Sequence, residues 1–158
     1  MAKKKYLPSS EIQESIQRWK EDIKRIFNVA TGWKYEEYIR SEADLEFIIG
    51  NSFKIKDAKD LAAYFMYYMA KRQPFFNGNK RTALLTSLIV LGKTICKDKK
   101  EFFMKKFKEY AKQSEEEYHE KYQSEKRLVD FMKEITENKR RFNEVENFIE
   151  KQFIEPVS

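Results

Sequence analysis

Apolar residues near the start of the chain recur at alternating four- and three-residue intervals, the spacing of one face of an α-helix. This pattern predicts a first helix from residue 10 to about residue 28, in which Ser10 and Gln13 fit a capping box. The apolar stripe of this helix consists of Ile12, Ile16, Trp19, Ile23, Ile26 and Phe27. The first helix therefore presents one apolar face to the rest of the protein.

Breaks in the apolar pattern divide the remaining chain into further helices. Glycine ends helices and the residue before a proline disfavours the α region, so Gly32, Gly50 and Pro74 mark such breaks. Residues 83–91 are apolar on nearly every side, and their helix is expected in the middle of a bundle. The further predicted helices are residues 33–49, a helix from Asp57 or Asp60 to just before Pro74, residues 79–96, residues 101–112 and a long C-terminal helix over about 124–155.

Composition agrees with a helical protein. Four glycines and three prolines are few for the many turns of a β fold. Residues 53–56 alternate apolar and basic side chains, and they are the only strand-like piece of the sequence. A length of 158 residues favours one domain with a buried core. The sequence therefore predicts a single all-α domain over residues 1–158.

The charge pattern favours a solvated helical surface. A net charge of +6 is compatible with a nucleotide, a nucleic acid or an acidic protein partner. The 32 basic residues are interleaved with 26 acidic ones, however, which argues against nucleic acid. The longest apolar run is too short to cross a bilayer, and residues 1–8 lack the apolar stretch of a signal peptide. We therefore predict a cytoplasmic protein that does not enter the membrane.

Residues 73–82, Gln-Pro-Phe-Phe-Asn-Gly-Asn-Lys-Arg-Thr, carry the candidate chemistry. The Asn-Gly-Asn centre tolerates positive φ, so the loop can curl and point backbone N–H groups inward at a helix start. Lys80 and Arg81 add positive charge where the helix dipole favours negative charge, which argues for a bound anion. The alternative is an ordinary basic helix start whose side chains face solvent. The candidate phosphate-binding residues are Asn77, Gly78, Asn79, Lys80 and Arg81.

These residues resemble the signature of the Fic/Doc superfamily, His-x-Phe-x-[Asp/Glu]-[Gly/Ala]-Asn-[Gly/Lys]-Arg. The matching residues are Phe75, Gly78, Asn79, Lys80 and Arg81. The Arg-Thr-Ala-Leu that follows is similar to the Doc branch, the death-on-curing type. The resemblance is specific over roughly residues 57–96 and implies a helical bundle with a β-hairpin flap. It also implies a protein that transfers AMP or phosphate from a nucleotide to a hydroxyl of a target protein, with an antitoxin partner where a member is toxin-like.

The flap of the family docks the target polypeptide by strand addition. In this chain the strand-like residues 53–56 fall where the flap is expected. Phe53, Lys54 and Ile55 are therefore the predicted docking residues. Only a few residues separate Gly50 from Asp57, so the predicted hairpin is short and reduced.

Two positions depart from the signature. Gln73 stands where the family has its catalytic His, and an amide can hydrogen-bond a hydroxyl but cannot take its proton. The loss of one general base typically costs about 10²–10⁴-fold in rate. Asn77 stands where the family has the acid that binds Mg²⁺, and an amide oxygen is a neutral, weaker ligand. The resemblance thus implies ATP or another nucleotide as ligand, with Mg²⁺ binding weakened.

Three functions follow from these residues and stay open at the level of the sequence. The first is a pseudoenzyme that binds a nucleotide or another phosphate-bearing ligand at residues 77–81. The second is slow transfer of phosphate or AMP to a protein hydroxyl that Gln73 orients. The third is a protein-interaction module in which the loop is structural and the aromatic C-terminal helix binds a partner.

Three other residues have simple interpretations. His119, the only histidine, lies among charged residues and is expected at the surface rather than as a substitute base. Cys96, the only cysteine, is expected as a small hydrophobe near a helix end. For Phe76, the sequence allows either packing within the protein or stacking on a base.

Overall fold

The structure, a computed structural model, describes residues 9–92 and 126–154 of the chain. Seven α-helices form within these ranges: α1 (Ser9–Thr31), α2 (Tyr35–Tyr38), α3 (Glu42–Ser52), α4 (Ala58–Arg72), α5 (Asn79–Val90), α6 (Lys126–Thr136) and α7 (Phe142–Ile149). A π-helical turn, Glu150–Ile154, follows α7. No sheet forms in the described ranges, and the predicted all-α fold is confirmed. The predictions for Cys96, His119 and residues 101–112 lie outside the described residues.

Helices α4 and α5 form the centre of the bundle. α4 contacts α3, α5, α6 and α7, and α5 also packs against α1. Residues 82–88 are all buried, as the apolar run of this segment predicts. The hydroxyl of Ser87 on α5 donates to the Ala62 carbonyl oxygen of α4 at 2.8 Å, so the two helices approach closely. Small buried residues such as Ala62 and Ala83 make this approach possible.

The helix predicted over residues 33–49 is wrong, because the structure contains two helices there, α2 and α3. The chain between them leaves the helical path where its N–H groups find a partner distant in sequence. The backbone N–H groups of Arg40 and Ser41 both donate to the Pro74 carbonyl oxygen, at 2.8 and 3.0 Å. This pairing uses N–H groups that a continuous helix would bond within itself.

Side-chain caps fix the starts of α3 and α4. The Ser41 hydroxyl oxygen accepts the N–H of Asp44 at 3.0 Å at the start of α3. The Asp57 carboxylate accepts the N–H of Asp60 at 3.1 Å at the start of α4. Asp57 is thus the N-cap, which decides between the two starts that the sequence leaves open.

Residues 53–56 do not form the predicted strand. The N–H of Lys54 donates to the Asn51 carbonyl oxygen at 3.4 Å, and that of Ile55 donates to the Ser52 carbonyl oxygen at 3.1 Å. The segment is therefore a tight turn between α3 and α4, and the predicted hairpin flap is absent from this part of the described chain. Local hydrogen bonds decide the conformation because no strand within residues 9–92 or 126–154 pairs with it.

The long helix predicted over about 124–155 is also wrong, because a turn separates α6 from α7. Asn138 lies in the left-handed region with φ 63°, which asparagine tolerates. Its N–H donates to the Ile135 carbonyl oxygen at 3.1 Å. The N–H of Lys139 donates to the Glu134 carbonyl oxygen at 2.9 Å. These are the two bonds of a Schellman motif, which ends α6 and allows α7 to pack against α4.

The contact between α4 and α7 brings two carboxyl groups together. A hydrogen bond with Asp60 on α4 raises the pKa of Glu146 on α7, and burial and the charge of Asp60 act in the same direction. Lys59 opposes this shift, whereas Asp57 adds to it. The folded protein therefore holds a proton on Glu146 more tightly than an ordinary glutamate does.

We predict that Glu146→Gln stabilises the protein at neutral pH. Because its folded pKa is raised, Glu146 contributes stability below its unfolded pKa, and that contribution is lost as pH rises through the folded pKa. At about pH 7 the variant should gain about 0.5 kcal/mol in free energy of unfolding, the size of a like-charge pair, and the gain should vanish at about pH 4. Urea unfolding across this pH range measures the effect.

Glu150→Gln is the matched control for this prediction. Glu150 lies on the same face of the chain after α7, and its carboxylate is 3.5 Å from the Lys59 ammonium. Removal of this favourable pair should give no gain at any pH. An equal gain in both variants would contradict the pairing of Glu146 with Asp60.

Candidate functional site

The turn between α4 and α5 begins and ends with a residue in the left-handed region. Gln73 ends α4 with φ 53°, and Gly78 precedes α5 with φ 86°. A Cβ atom on Gly78 would lie 2.8 Å from Thr31 Cγ2 and 3.1 Å from Phe27 Cε1. Both the backbone conformation and the lack of space therefore require glycine at this position.

Asn79 holds this turn closed through its side chain. Its Oδ1 accepts the N–H of Phe75 at 2.9 Å, and its Nδ2 donates to the Phe75 carbonyl oxygen at 2.8 Å. The fixed Phe75 is buried, stacks on Phe27 at 4.5 Å and meets Tyr35 edge-on at 5.8 Å. The Asn79 side chain is thus engaged in the fold, and its backbone N–H is the group left for an anion.

Arg40 fixes the start of the loop. Its Nε donates to the Gln73 carbonyl oxygen at 2.8 Å, and its Nη2 donates to the Arg72 carbonyl oxygen at 3.0 Å. Asp44 lies 2.9 Å from the guanidinium of Arg40 and 2.9 Å from that of Arg72. The positive charge of Arg40 beside the last carbonyl groups of α4 interacts favourably with the helix dipole. It also supports the left-handed conformation of Gln73.

The structure brings the predicted loop residues together in one shallow cavity of about 230 Å³. Gln73 and the first turn of α5 lie on its walls, as the motif predicts. Sequence reasoning missed Trp33, which precedes α2, and Thr136, which ends α6; no sequence signal marks Thr136. The described residues that line the cavity are Trp33, Gln73, Phe76, Asn77, Gly78, Asn79, Lys80, Arg81 and Thr136.

The start of α5 exposes backbone donors to this cavity. No side chain caps α5, and its first backbone bond runs from the Thr82 N–H to the Gly78 carbonyl oxygen at 3.0 Å. The N–H groups of Asn79 and Lys80 precede that bond and have no acceptor within the helix. The N–H of Gly78 itself donates to Asn77 Oδ1 at 2.8 Å. The arrangement is a helix N-terminus of the kind that binds anions.

Lys80 and Arg81 differ in what holds them. Arg81 is half-buried, and its Nη1 donates to the Ala30 carbonyl oxygen at 2.9 Å, near the end of α1. Lys80 is exposed, and its ammonium forms no hydrogen bond or ion pair with the residues that the structure describes. Arg81 therefore has a role in the fold besides any contact with a ligand. The Lys80 side chain lines the cavity without such a role among the described residues.

The lining residues do not fit a protein-held Mg²⁺ ion. No carboxylate is among the described residues that line the cavity, and the described residues contain no cluster of His, Cys, Asp or Glu that could hold a metal. Mg²⁺ prefers carboxylate oxygens. The side-chain oxygen of Asn77, at the family's metal position, already accepts the Gly78 N–H.

Phe53, Lys54 and Ile55 lie at the opposite end of α4 from the cavity. α4 has 15 residues, which corresponds to a length of about 22 Å. The structure thus does not bring the predicted docking residues to the site, and their docking role stays a prediction. The segment that pairs with the loop is 38–41, in which Ile39 forms an antiparallel bridge with Phe75.

The chain belongs to the Fic/DOC family. The model of this family matches residues 6–91, more than half of the chain, and the matched region contains the loop and both central helices. Comparison with curated proteins and with solved structures gives no significant match. Thr136, which completes the cavity, lies beyond the matched residues. Among the helices of the described ranges, none has the length and apolar character needed to cross a membrane.

We predict that Asn79→Ala lowers the free energy of unfolding by about 2–3 kcal/mol, because it leaves the buried N–H and carbonyl of Phe75 without partners. Urea unfolding followed by circular dichroism measures this loss. Asn77→Ala is the matched control, since its side chain bonds only the exposed loop backbone, and it should change stability by less than about 0.5 kcal/mol. Similar losses in the two variants would contradict the bracing role of Asn79.

Proposed function

We propose that this protein binds a polyphosphate-bearing ligand, such as ATP, at residues 77–81. It transfers phosphate or AMP from this ligand to a protein hydroxyl inefficiently or not at all. The supporting observation is that the uncapped start of α5, Lys80 and Arg81 converge on one cavity, and that none of the described residues lining this cavity is a carboxylate. N–H groups and the helix dipole favour an anion there, and the two cations add to the attraction. A chain of phosphates matches this charge.

Gln73 explains why transfer should be inefficient. Its side chain lines the cavity at the position of the family's catalytic His. An amide can orient an attacking hydroxyl by hydrogen bonding, but it cannot accept the proton that the hydroxyl must lose. Slow transfer of phosphate or AMP to a protein hydroxyl is therefore the second candidate, and the place of Gln73 in the cavity favours it.

Family membership also supports the proposal of a protein partner. Toxin-like members of the Fic/Doc superfamily pair with antitoxins, and transferring members act on a target protein. An antitoxin or a target is accordingly the partner to seek for this chain. Reconstitution with a purified candidate partner would test the pairing directly.

Calorimetric titration of ATP tests the phosphate site. We predict that Lys80→Ala weakens the affinity for ATP about 10-fold, because a charge-assisted contact contributes about 1.5 kcal/mol. Stability should be unchanged, since the Lys80 side chain is exposed. Arg81→Ala is a poorer test because it also removes the hydrogen bond to Ala30.

Lys56→Ala is the matched control for the titration. Lys56 is exposed near the start of α4, far from the cavity, and its removal should leave ATP affinity unchanged. Binding should persist when EDTA replaces Mg²⁺, since the site's described lining holds no carboxylate to bind the metal. Wild-type protein that binds neither ATP nor tripolyphosphate would sink the proposal.

We predict that the double variant Gln73→His/Asn77→Asp gains transfer activity. Histidine supplies a base that titrates near neutral pH, and aspartate supplies a carboxylate for Mg²⁺. Incubation with ATP labelled at the α- or the γ-phosphate separates AMP transfer from phosphate transfer. Labelling of protein should rise at least about 100-fold over wild type, the smaller contribution expected of a general base.

Asn77→Asp alone is the control for this experiment, because it restores the carboxylate without the base. It should label protein far less than the double variant does. A double variant that is folded and binds ATP but transfers nothing would show that these two substitutions are not what keeps the site inactive.

A further inference from the structure

Phe76 is the most exposed of the large apolar side chains in the described residues, at 69%. Its ring lines the cavity, directly after the buried Phe75. Its backbone is fixed, because the Phe76 N–H donates to the Tyr38 carbonyl oxygen at 2.8 Å and Phe75 bridges Ile39. An aromatic ring is thus held at the mouth of the phosphate site without being packed.

The other aromatic wall of the cavity is already engaged. Trp33 stacks on Tyr38 with ring centroids 4.5 Å apart and planes 10° apart. Its edge also lies against Gly78, where Cζ3 is 3.6 Å from the position of a Cβ atom. Phe76, by contrast, makes no ring contact with any residue that the structure describes. Of the two aromatic residues in the described lining, Phe76 is therefore the one whose ring is exposed and unstacked.

The size of the cavity places part of a nucleotide outside it. The volume is about 230 Å³, below the range of about 300–1,000 Å³ for pockets that enclose a small molecule. A phosphate chain bound at residues 79–81 fills such a space, so an attached base must lie at the rim. Phe76 stands at that rim, and bases stack on exposed aromatic rings.

We propose that Phe76 stacks on the base of a bound nucleotide and makes the site prefer nucleotides to simple polyphosphates. This inference rests on the proposed function, since it assumes that the start of α5 holds the phosphates. A simple polyphosphate uses only the N–H groups and cations of the cavity. A nucleotide uses these groups and the free face of Phe76 as well.

Parallel titrations of ATP and tripolyphosphate into wild type and Phe76→Ala test the inference. The variant should lose about 5–150-fold in affinity for ATP, the range expected for stacking of one base. Its affinity for tripolyphosphate should be unchanged. Phe76→Trp should retain ATP affinity, and its additional fluorescence should be quenched by ATP but not by tripolyphosphate. Phe47→Ala, on α3 and also exposed but not among the residues that line the cavity, is the matched control and should bind both ligands like wild type.

Two results would overturn the inference alone. Equal weakening of ATP and tripolyphosphate in Phe76→Ala would show that Phe76 shapes the loop rather than contacting a base. Unchanged ATP affinity in the same variant would show that the ring does not stack on the base. Wild-type protein that binds neither ligand would overturn the proposed function together with this inference.

Discussion

Two hydrogen bonds between the Asn79 side chain and the Phe75 backbone hold the centre of this protein together. They close the turn between α4 and α5 and place the Phe75 ring against Phe27 in the core. With Phe75 fixed, the carbonyl of Pro74 and the N–H of Phe76 reach the segment 38–41. That pairing in turn separates α2 from α3. One buried amide therefore determines the shape of the loop and the break in a neighbouring helix.

The residues that match the family signature serve the fold as much as any ligand. Gly78 fits where a Cβ atom has no room, Asn79 braces the turn, and Arg81 bonds the end of α1 at Ala30. A chain without catalytic function would need these residues to fold. The match alone is thus weak support for ligand binding. The stronger support comes from groups that no described residue engages in the fold, namely the ammonium of Lys80 and the N–H groups of Asn79 and Lys80 at the uncapped start of α5.

The local sequence pattern predicted the features that depend on neighbouring residues. It failed where the conformation depends on a residue distant in sequence or on one single residue. The stripe of α1 and the start of α5 follow from the apolar period and the Asn-Gly-Asn turn. The break at Ser41 depends on Pro74, which is far away in sequence, and the end of α6 depends on one left-handed residue, Asn138. The loop side of the cavity was predictable because its residues are contiguous. Trp33 and Thr136 were not, because only the packing of helices brings them there.

Binding and transfer make different physical demands on this cavity. A general base must titrate near the working pH, and a side chain that binds Mg²⁺ best carries negative charge on oxygen. The amides at residues 73 and 77 meet neither requirement. Anion binding needs only fixed partial charges, which the backbone of α5 supplies whatever side chains lie beside it. Under the proposed function, these two amides therefore stand in place of the groups that would act on a phosphate, whereas the groups proposed to hold it remain. The Asn77 amide even remains within the site as an acceptor for the Gly78 N–H, so a phosphate that uses this donor must displace it.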